Sequence, residues 1–316
     1  MVFNLIKETF SNWSDDRASR LAAALAYYTV FSLPPLLILV IAIAGTFLGE
    51  EAARGEVVAQ LQSLIGSEGA KAIEAVITGA SNAGSGSGLS ASIISVVILL
   101  FGATAVVTQL QDALNTIWKV APKPGNMIKI FIFQRLLSFG MILGIVFMLL
   151  VSLIMSAALG ILSKYLGGLF PGLEVIWALI DFALSLSIIS TLFALMFKYL
   201  PDVKIKWNDV IIGAIITAFL FNVGKYLIGL YLAKSAFNST YGAAGSLVVL
   251  LAWIYYSAQI LFLGAEFTQV YARRFGSRIE PKEYAEYIKP EYDTDEPIAK
   301  DAKAQQGLSA TSDEKK

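Results

Sequence analysis

The stretch Tyr241–Phe267, YGAAGSLVVLLAWIYYSAQILFLGAEF, limits this chain more than any other. It carries no charge before Glu266, and Arg273 and Arg274 follow it. A helix of about 20 such residues spans a bilayer, whereas a buried helix of a soluble domain is shorter and keeps a polar face. Gly242, Ala243, Ala244 and Gly245 let another helix approach the start of this span closely. Trp253, Tyr255 and Tyr256 fall mid-span, which turns them toward other helices rather than into an interfacial belt. Glu266 breaks the apolar pattern. It precedes Arg273 by seven residues, about 10 Å of helix. A carboxyl group at that depth is costly unless it is partnered or wetted.

The remaining chain has the same character. Of its 316 residues 56% are hydrophobic and 15% charged, against about 25% charged in soluble domains. There is no Cys and no His, which excludes disulfides, thiolate catalysis and His-based metal or acid–base chemistry. The formal net charge is zero, so no global field attracts nucleic acid. The opening residues lack the apolar core and cleavage site of a signal peptide, so the first span is expected to target the chain and remain in place. The fold class expected is an all-α polytopic membrane helical bundle.

In chain order, Phe3, Ile6, Phe10 and Trp13 recur at helical spacing. They predict an amphipathic helix, either on the membrane surface or packed beneath the bundle. Ser14 reads as the N-cap of the next helix, with Asp15 and Asp16 in its first turn. Apolar runs predict six spans, at about 21–48, 89–118, 130–162, 173–200, 209–232 and 244–272. Pro34 and Pro35 interrupt the first and predict a kink, which either lines a cavity or is a fixed bend. Residues 50–88 form a long loop with two apolar stripes, read as short helices over the outer, periplasmic mouth. The last third of the second span is polar, with Thr108, Gln109, Gln111, Asp112 and Asn115. It is either a solvated helix end or the wall of an inward-facing cavity. Residues 1–275 thus make the membrane domain, and the polar segment 276–316 reads as a disordered cytoplasmic tail.

Basic residues set the orientation. They concentrate before Leu21, after the second and fourth spans, and after the sixth. The opposite loops hold only Arg54, Lys71, Lys164 and Lys234. Both termini are therefore expected in the cytoplasm.

Two segments resemble a known family. Ala22–Leu39, AAALAYYTVFSLPPLLIL, is similar to the first-span signature of the YihY/BrkB family of bacterial inner-membrane proteins. Tyr231, Tyr241-Gly242, Gly245, Trp253-Ile254-Tyr255 and Gly264-Ala265-Glu266 resemble its end signature. The resemblance covers about residues 12–275 and implies a six-span, multi-pass inner-membrane protein with cytoplasmic termini. It implies no defined mechanism. Members have been named virulence or serum-resistance factors, some carried a ribonuclease label, and related proteins have been linked to lipid or lipopolysaccharide export.

The ribonuclease label does not suit these residues. Metal-dependent RNA hydrolysis needs a cluster of His and Asp ligands, and RNA binding needs clustered basic and aromatic residues. The expectation is a protein that is no enzyme, takes no metal or cofactor and binds no nucleic acid. Two classes remain: a transporter or flippase for a lipid or amphipathic solute, or a non-transporting envelope scaffold. The first is favoured because intramembrane Asp181, Lys225 and Glu266 are costly to keep without a role. Asp181 and Lys225 each lie roughly 10–12 Å in from the outer ends of adjacent spans, which suggests an ion pair. Glu266 and Asp112 lie at similar depth from the inner surface, near Arg20, Arg135 and Gln109. Together these predict one hydrated site, with Glu266 its central carboxyl and Arg20 or Arg135 its counter-charge. Such a site would exchange a proton or hold a lipid phosphate. Structural salt bridges are the plainer alternative for both groups.

Overall fold

The computed structural model describes residues 2–59, 105–124, 174–234, 245–276 and 279–288, with isolated helical positions within 62–78 and 136–155. Helix α1 (Val2–Asp15) buries Leu5 and Thr9 and exposes Phe3, Ile6 and Phe10. It therefore packs one face of its apolar stripe and leaves the other open. Ser14 is not an N-cap. The bonds from Asp16 N–H to the Asn12 carbonyl (2.8 Å) and from Arg17 N–H to that of Ser14 (3.0 Å) carry α1 past it. The chain then turns at Arg17, whose φ of 51° is left-handed, and enters α2 (Ala18–Leu48). α2 stays helical through residues 34 and 35, while the side chains of Pro34 and Pro35 lie outside the described residues. It stops at Gly49, where a φ of 85° favours a residue without Cβ.

Residues 50–59 form α3 and residues 105–117 form α4. Three long helices follow: α5 (Glu174–Tyr199), α6 (Trp207–Lys234) and α7 (Gly245–Phe275). Among the described residues, three stretches are long and apolar enough to cross a membrane: Phe182–Tyr199, Trp207–Ile228 and Leu247–Phe275. Exposed Ile211, Ile215, Phe219 and Val223 on α6, and Leu179, Ile180 and Phe182 on α5, form the apolar outer surface such helices show to lipid.

α7 is the hub, packed against α1, α2 and α6, while α5 packs on α6. The main core joins Leu114, Ile117 and Trp118 near the end of α4 to Phe197 of α5 and Phe262 and Ala265 of α7. A second core sits at the opposite end of α2 and α7, where Ala53 and Ile73 of the 50–88 segment bury against Leu37, Ile41, Leu250 and Ile254. Of the mid-span aromatics, Trp253 meets Phe221 edge-to-face and Tyr256 closes on Gly224. Tyr255 departs from expectation and is 38% exposed. The segment 242–244 lies outside the described residues.

α6 and α7 run antiparallel through a reciprocal lock. The Thr217 hydroxyl donates to the Gly213 carbonyl and that of Thr268 to the Gly264 carbonyl, each at 2.7 Å. Each threonine also fills the space a Cβ would need on the opposing glycine: Thr268 on Gly213, Thr217 on Gly264. Small residues at such a crossing bring two backbones together.

The segment 276–316 is not wholly a disordered tail. Within it, β3 (Glu280–Pro281) pairs antiparallel with β2 (Val203–Lys204), and β4 (Ala285–Tyr287) with β1 (Val120–Pro122). Paired backbone groups hold the segment against the ends of α4 and α5 despite its polar composition.

Candidate functional site

One polar cluster is closed. Asp202, in the turn after α5, is fully buried. Its carboxylate accepts from Gln111 Nε2 (3.1 Å), Asn115 Nδ2 (2.9 Å) and the Tyr284 hydroxyl (3.1 Å). Its backbone N–H donates to Asn115 Oδ1 at 2.8 Å, and Lys282 Nζ stands 3.8 Å from its carboxylate. Gln111 and Asn115 are thus neither a solvated helix end nor a cavity wall. They bind a neighbouring turn, and the segment carrying β3 and β4 closes over them. Burial lowers the Lys282 ammonium from its ordinary value, and the Asp202 charge works against that. The Tyr284 phenol is raised, by burial first and then by Asp202. A carboxylate supplied with so many donors is a structural joint.

The second cluster is open. Glu266, on α7, is fully buried, and neither carboxyl oxygen has a hydrogen-bond partner among the described residues. The charged groups acting on it are another acid, Asp16, and the cations Lys119 and Arg273. Asp16 comes from the α1–α2 turn, and Lys119 from the turn after α4. Lys119 pairs with one oxygen of Asp16, while the other oxygen is buried without a partner among the described residues. Gln269 Oε1 and the indole nitrogens of Trp13 and Trp118, on the same segments, are buried without partners among the described residues. Arg273 and Arg274 both bind Glu8 of α1, which fastens α1 to α7.

Glu266 is buried, and the groups around it differ from those expected. Arg20 is exposed, and neither it nor Asp112 is among the groups acting on Glu266. Asp112 lies on the exposed side of α4, under the influence of Asp202. Gln109 is half-buried on α4, and Arg135 lies outside the described residues. For the expected ion pair, α5 and α6 do pack together and Lys225 is half-buried, while the side chain of Asp181 lies outside the described residues. Sequence reading missed Asp16 and Asp202. Asp16 was absorbed into a helix start, and Asp202 sat in a turn read for its lysines.

Two apolar spaces complete the picture. One, of about 300 Å³, is a partly open space between α2, α4, α5, α6 and α7, lined by Leu25, Leu110, Phe193, Trp253 and Leu261 among others. Thr29 and Ser257 are the polar residues at its wall, and among the described residues no charged side chain reaches it. The other, of about 710 Å³, is a groove between α1, α6 and α7.

Comparison with known proteins agrees with this architecture. The family described as virulence factor BrkB matches residues 9–288. A UPF0761 membrane protein of Stenotrophomonas maltophilia is 29% identical over 79% of this chain and 57% of its own length. One of Teredinibacter turnerae is 28% identical over 88% of this chain and 63% of its own. A third, of Pseudoalteromonas translucida, is 28% identical over 80% and 81% respectively. The chain spans little more than half the length of several relatives, such as 55% of the one from Ralstonia nicotianae. No solved structure matches.

Proposed function

The chain belongs to the BrkB virulence-factor family of membrane proteins, and from that premise we propose that it moves a lipid or amphipathic envelope component across the bacterial inner membrane. In this reading it crosses six times, with both termini in the cytoplasm. The observation that carries the reading is Glu266: a fully buried carboxyl with no donor on either oxygen among the described residues, set beside a second acid. A buried acid without donors adds nothing to stability that an apolar side chain of similar size would not. Its use is to change state. Glu266, beside the Asp16 carboxyl, is the group placed to exchange a proton with the surface marked by Lys119 and Arg273. The apolar space of about 300 Å³ between the helices suits a hydrocarbon chain rather than a polar solute.

A scaffold that organises lipids or partners is the second reading. The closed Asp202 cluster favours it, as does the apolar space between the helices, which no charged side chain reaches among the described residues. Reconstitution separates the two. Liposomes containing the protein and a fluorescent phosphatidylglycerol are treated with a membrane-impermeant quencher. The transport reading expects faster loss of inner-leaflet fluorescence than in empty liposomes. It also expects a folded Glu266→Gln protein to slow that loss by about tenfold or more, the cost of one charge-dependent interaction. No acceleration by the natural protein would leave the scaffold, and an undiminished Glu266→Gln would remove Glu266 from the mechanism.

A further inference from the structure

The groove of about 710 Å³ beneath α1 is built like a lipid cradle. One wall is a row on α7, Leu263, Phe267, Tyr271 and Phe275, spaced four apart. Ile212 and Leu220 mark the ends of a matching row on α6. Rows at i and i+4 form ridges along a helix, and two ridges with α1 across them leave a channel. From Leu263 to Phe275 the channel runs about 18 Å at 1.5 Å per residue. The hydrocarbon depth of a single leaflet is roughly 15 Å, half of a bilayer core.

Both long walls belong to helices able to cross a membrane, so the groove opens where hydrocarbon lies. Charge marks one end. Arg273 and Arg274 flank the Tyr271–Phe275 end, and both share the single carboxylate of Glu8. Two guanidiniums share this one carboxylate, and the Asp209 carboxylate lies beside Gly276 near the same helix end. Each guanidinium has five donors, so both keep donors to spare. The arginine side chains are 51% and 37% exposed, which leaves them accessible to an anion.

We propose that this groove binds one acyl chain of an anionic phospholipid from the leaflet that faces α1, with its phosphate on Arg273 and Arg274. Lipid binding stands independently of the transport reading and rests on it only in making the bound lipid a substrate. α1 is then the roof of the site, pinned by Glu8, rather than a helix resting on the membrane surface.

The test uses the full chain in nanodiscs of phosphatidylglycerol bearing a photoactivatable acyl chain, with phosphatidylcholine carrying the same chain for comparison. Labelling is expected on peptides containing Ile216 and Phe267, and more with phosphatidylglycerol. Ile216→Trp fills the channel and is expected to abolish that label while leaving labels on the outer face of α5. Arg273→Gln with Arg274→Gln is expected to cut the phosphatidylglycerol preference by about tenfold, the scale of a lost charge-assisted contact. Glu8→Gln breaks the same bridges but keeps the arginines, so it is expected to retain or raise the preference. Equal labelling by both lipids, or a Glu8→Gln loss matching the double arginine change, would overturn the proposal. A Glu266→Gln protein that still labels but no longer transports would keep the binding site and locate the transport step elsewhere.

Discussion

Substituting Gly264 by Ala tests the α6–α7 lock. The new methyl would fall on the Thr217 hydroxyl, which is held by its 2.7 Å bond to the Gly213 carbonyl. Either the helices separate or Thr217 rotates and gives up that bond. Overpacking costs about 1–3 kcal/mol, and a lost neutral hydrogen bond about 1 kcal/mol. Gly264→Ala is therefore expected to destabilise by about 2–4 kcal/mol. Thr217→Ala alone removes one hydrogen bond and a methyl-sized volume, at about 1–2 kcal/mol. Together the two are expected to cost less than their sum, because Thr217→Ala removes the hydroxyl and methyl that the new group meets first and leaves only the closer-than-normal Cβ at 2.8 Å. The assay is reversible unfolding in mixed micelles for all four proteins of the cycle, with a coupling of about 2 kcal/mol expected. Additivity within about 0.5 kcal/mol would show that the two residues do not share that space and would refute the lock. Gly213→Ala with Thr268→Ala should behave alike, since the geometry repeats.

Asp202→Ala leaves the amides of Gln111 and Asn115 buried without an acceptor and is expected to cost about 3 kcal/mol or more; limited proteolysis should then cut within residues 279–288, which the natural protein protects. Raising the pH should loosen the same segment. The folded Tyr284 phenol holds its proton more tightly than the unfolded one, so its contribution is complete below the ordinary tyrosine value of about 10 and is lost as the pH rises beyond it. Lys282 has the opposite slope below the ordinary lysine value, so the step is read as the difference from Tyr284→Phe, in which it should vanish. For topology, reporters fused after Lys123 and Lys204 should read cytoplasm and one within 63–88 the periplasm; a reversed pair would break the six-span arrangement.

Long apolar runs made the described helices legible. Span expectations of 173–200, 209–232 and 244–272 meet helices Glu174–Tyr199, Trp207–Lys234 and Gly245–Phe275, because lipid leaves a backbone little choice but to satisfy itself. The burial of Glu266 was legible too, since a carboxyl within an apolar run needs shelter. Its partners were not. Asp16 meets a lysine 103 residues away, and Asp202 meets amides 91 and 87 residues away. Helical depth says nothing of rotation, so residues at one level, such as Asp112 and Glu266, can face different directions. One signal was present in the spacing: Gly213 with Thr217, and Gly264 with Thr268, are each four apart and share one helix face. The strands within 279–288 were hidden because so short a polar run carries no burial pattern of its own.

Those strands also set a schedule for synthesis. β1 leaves the ribosome about 160 residues before the segment it pairs with, as the separation of Lys123 and Glu283 shows. At roughly 5–20 residues per second that is a wait of about 10–30 s. Asp202 waits through 82 residues for Tyr284. Through the last part of that interval Asp202 has Gln111 and Asn115 alone, and the last seam of this face closes after every described helix has been made. Until residues 279–288 are made, the Asp202 carboxylate lacks the Tyr284 hydroxyl and the Lys282 ammonium, and this polar joint stays half-built.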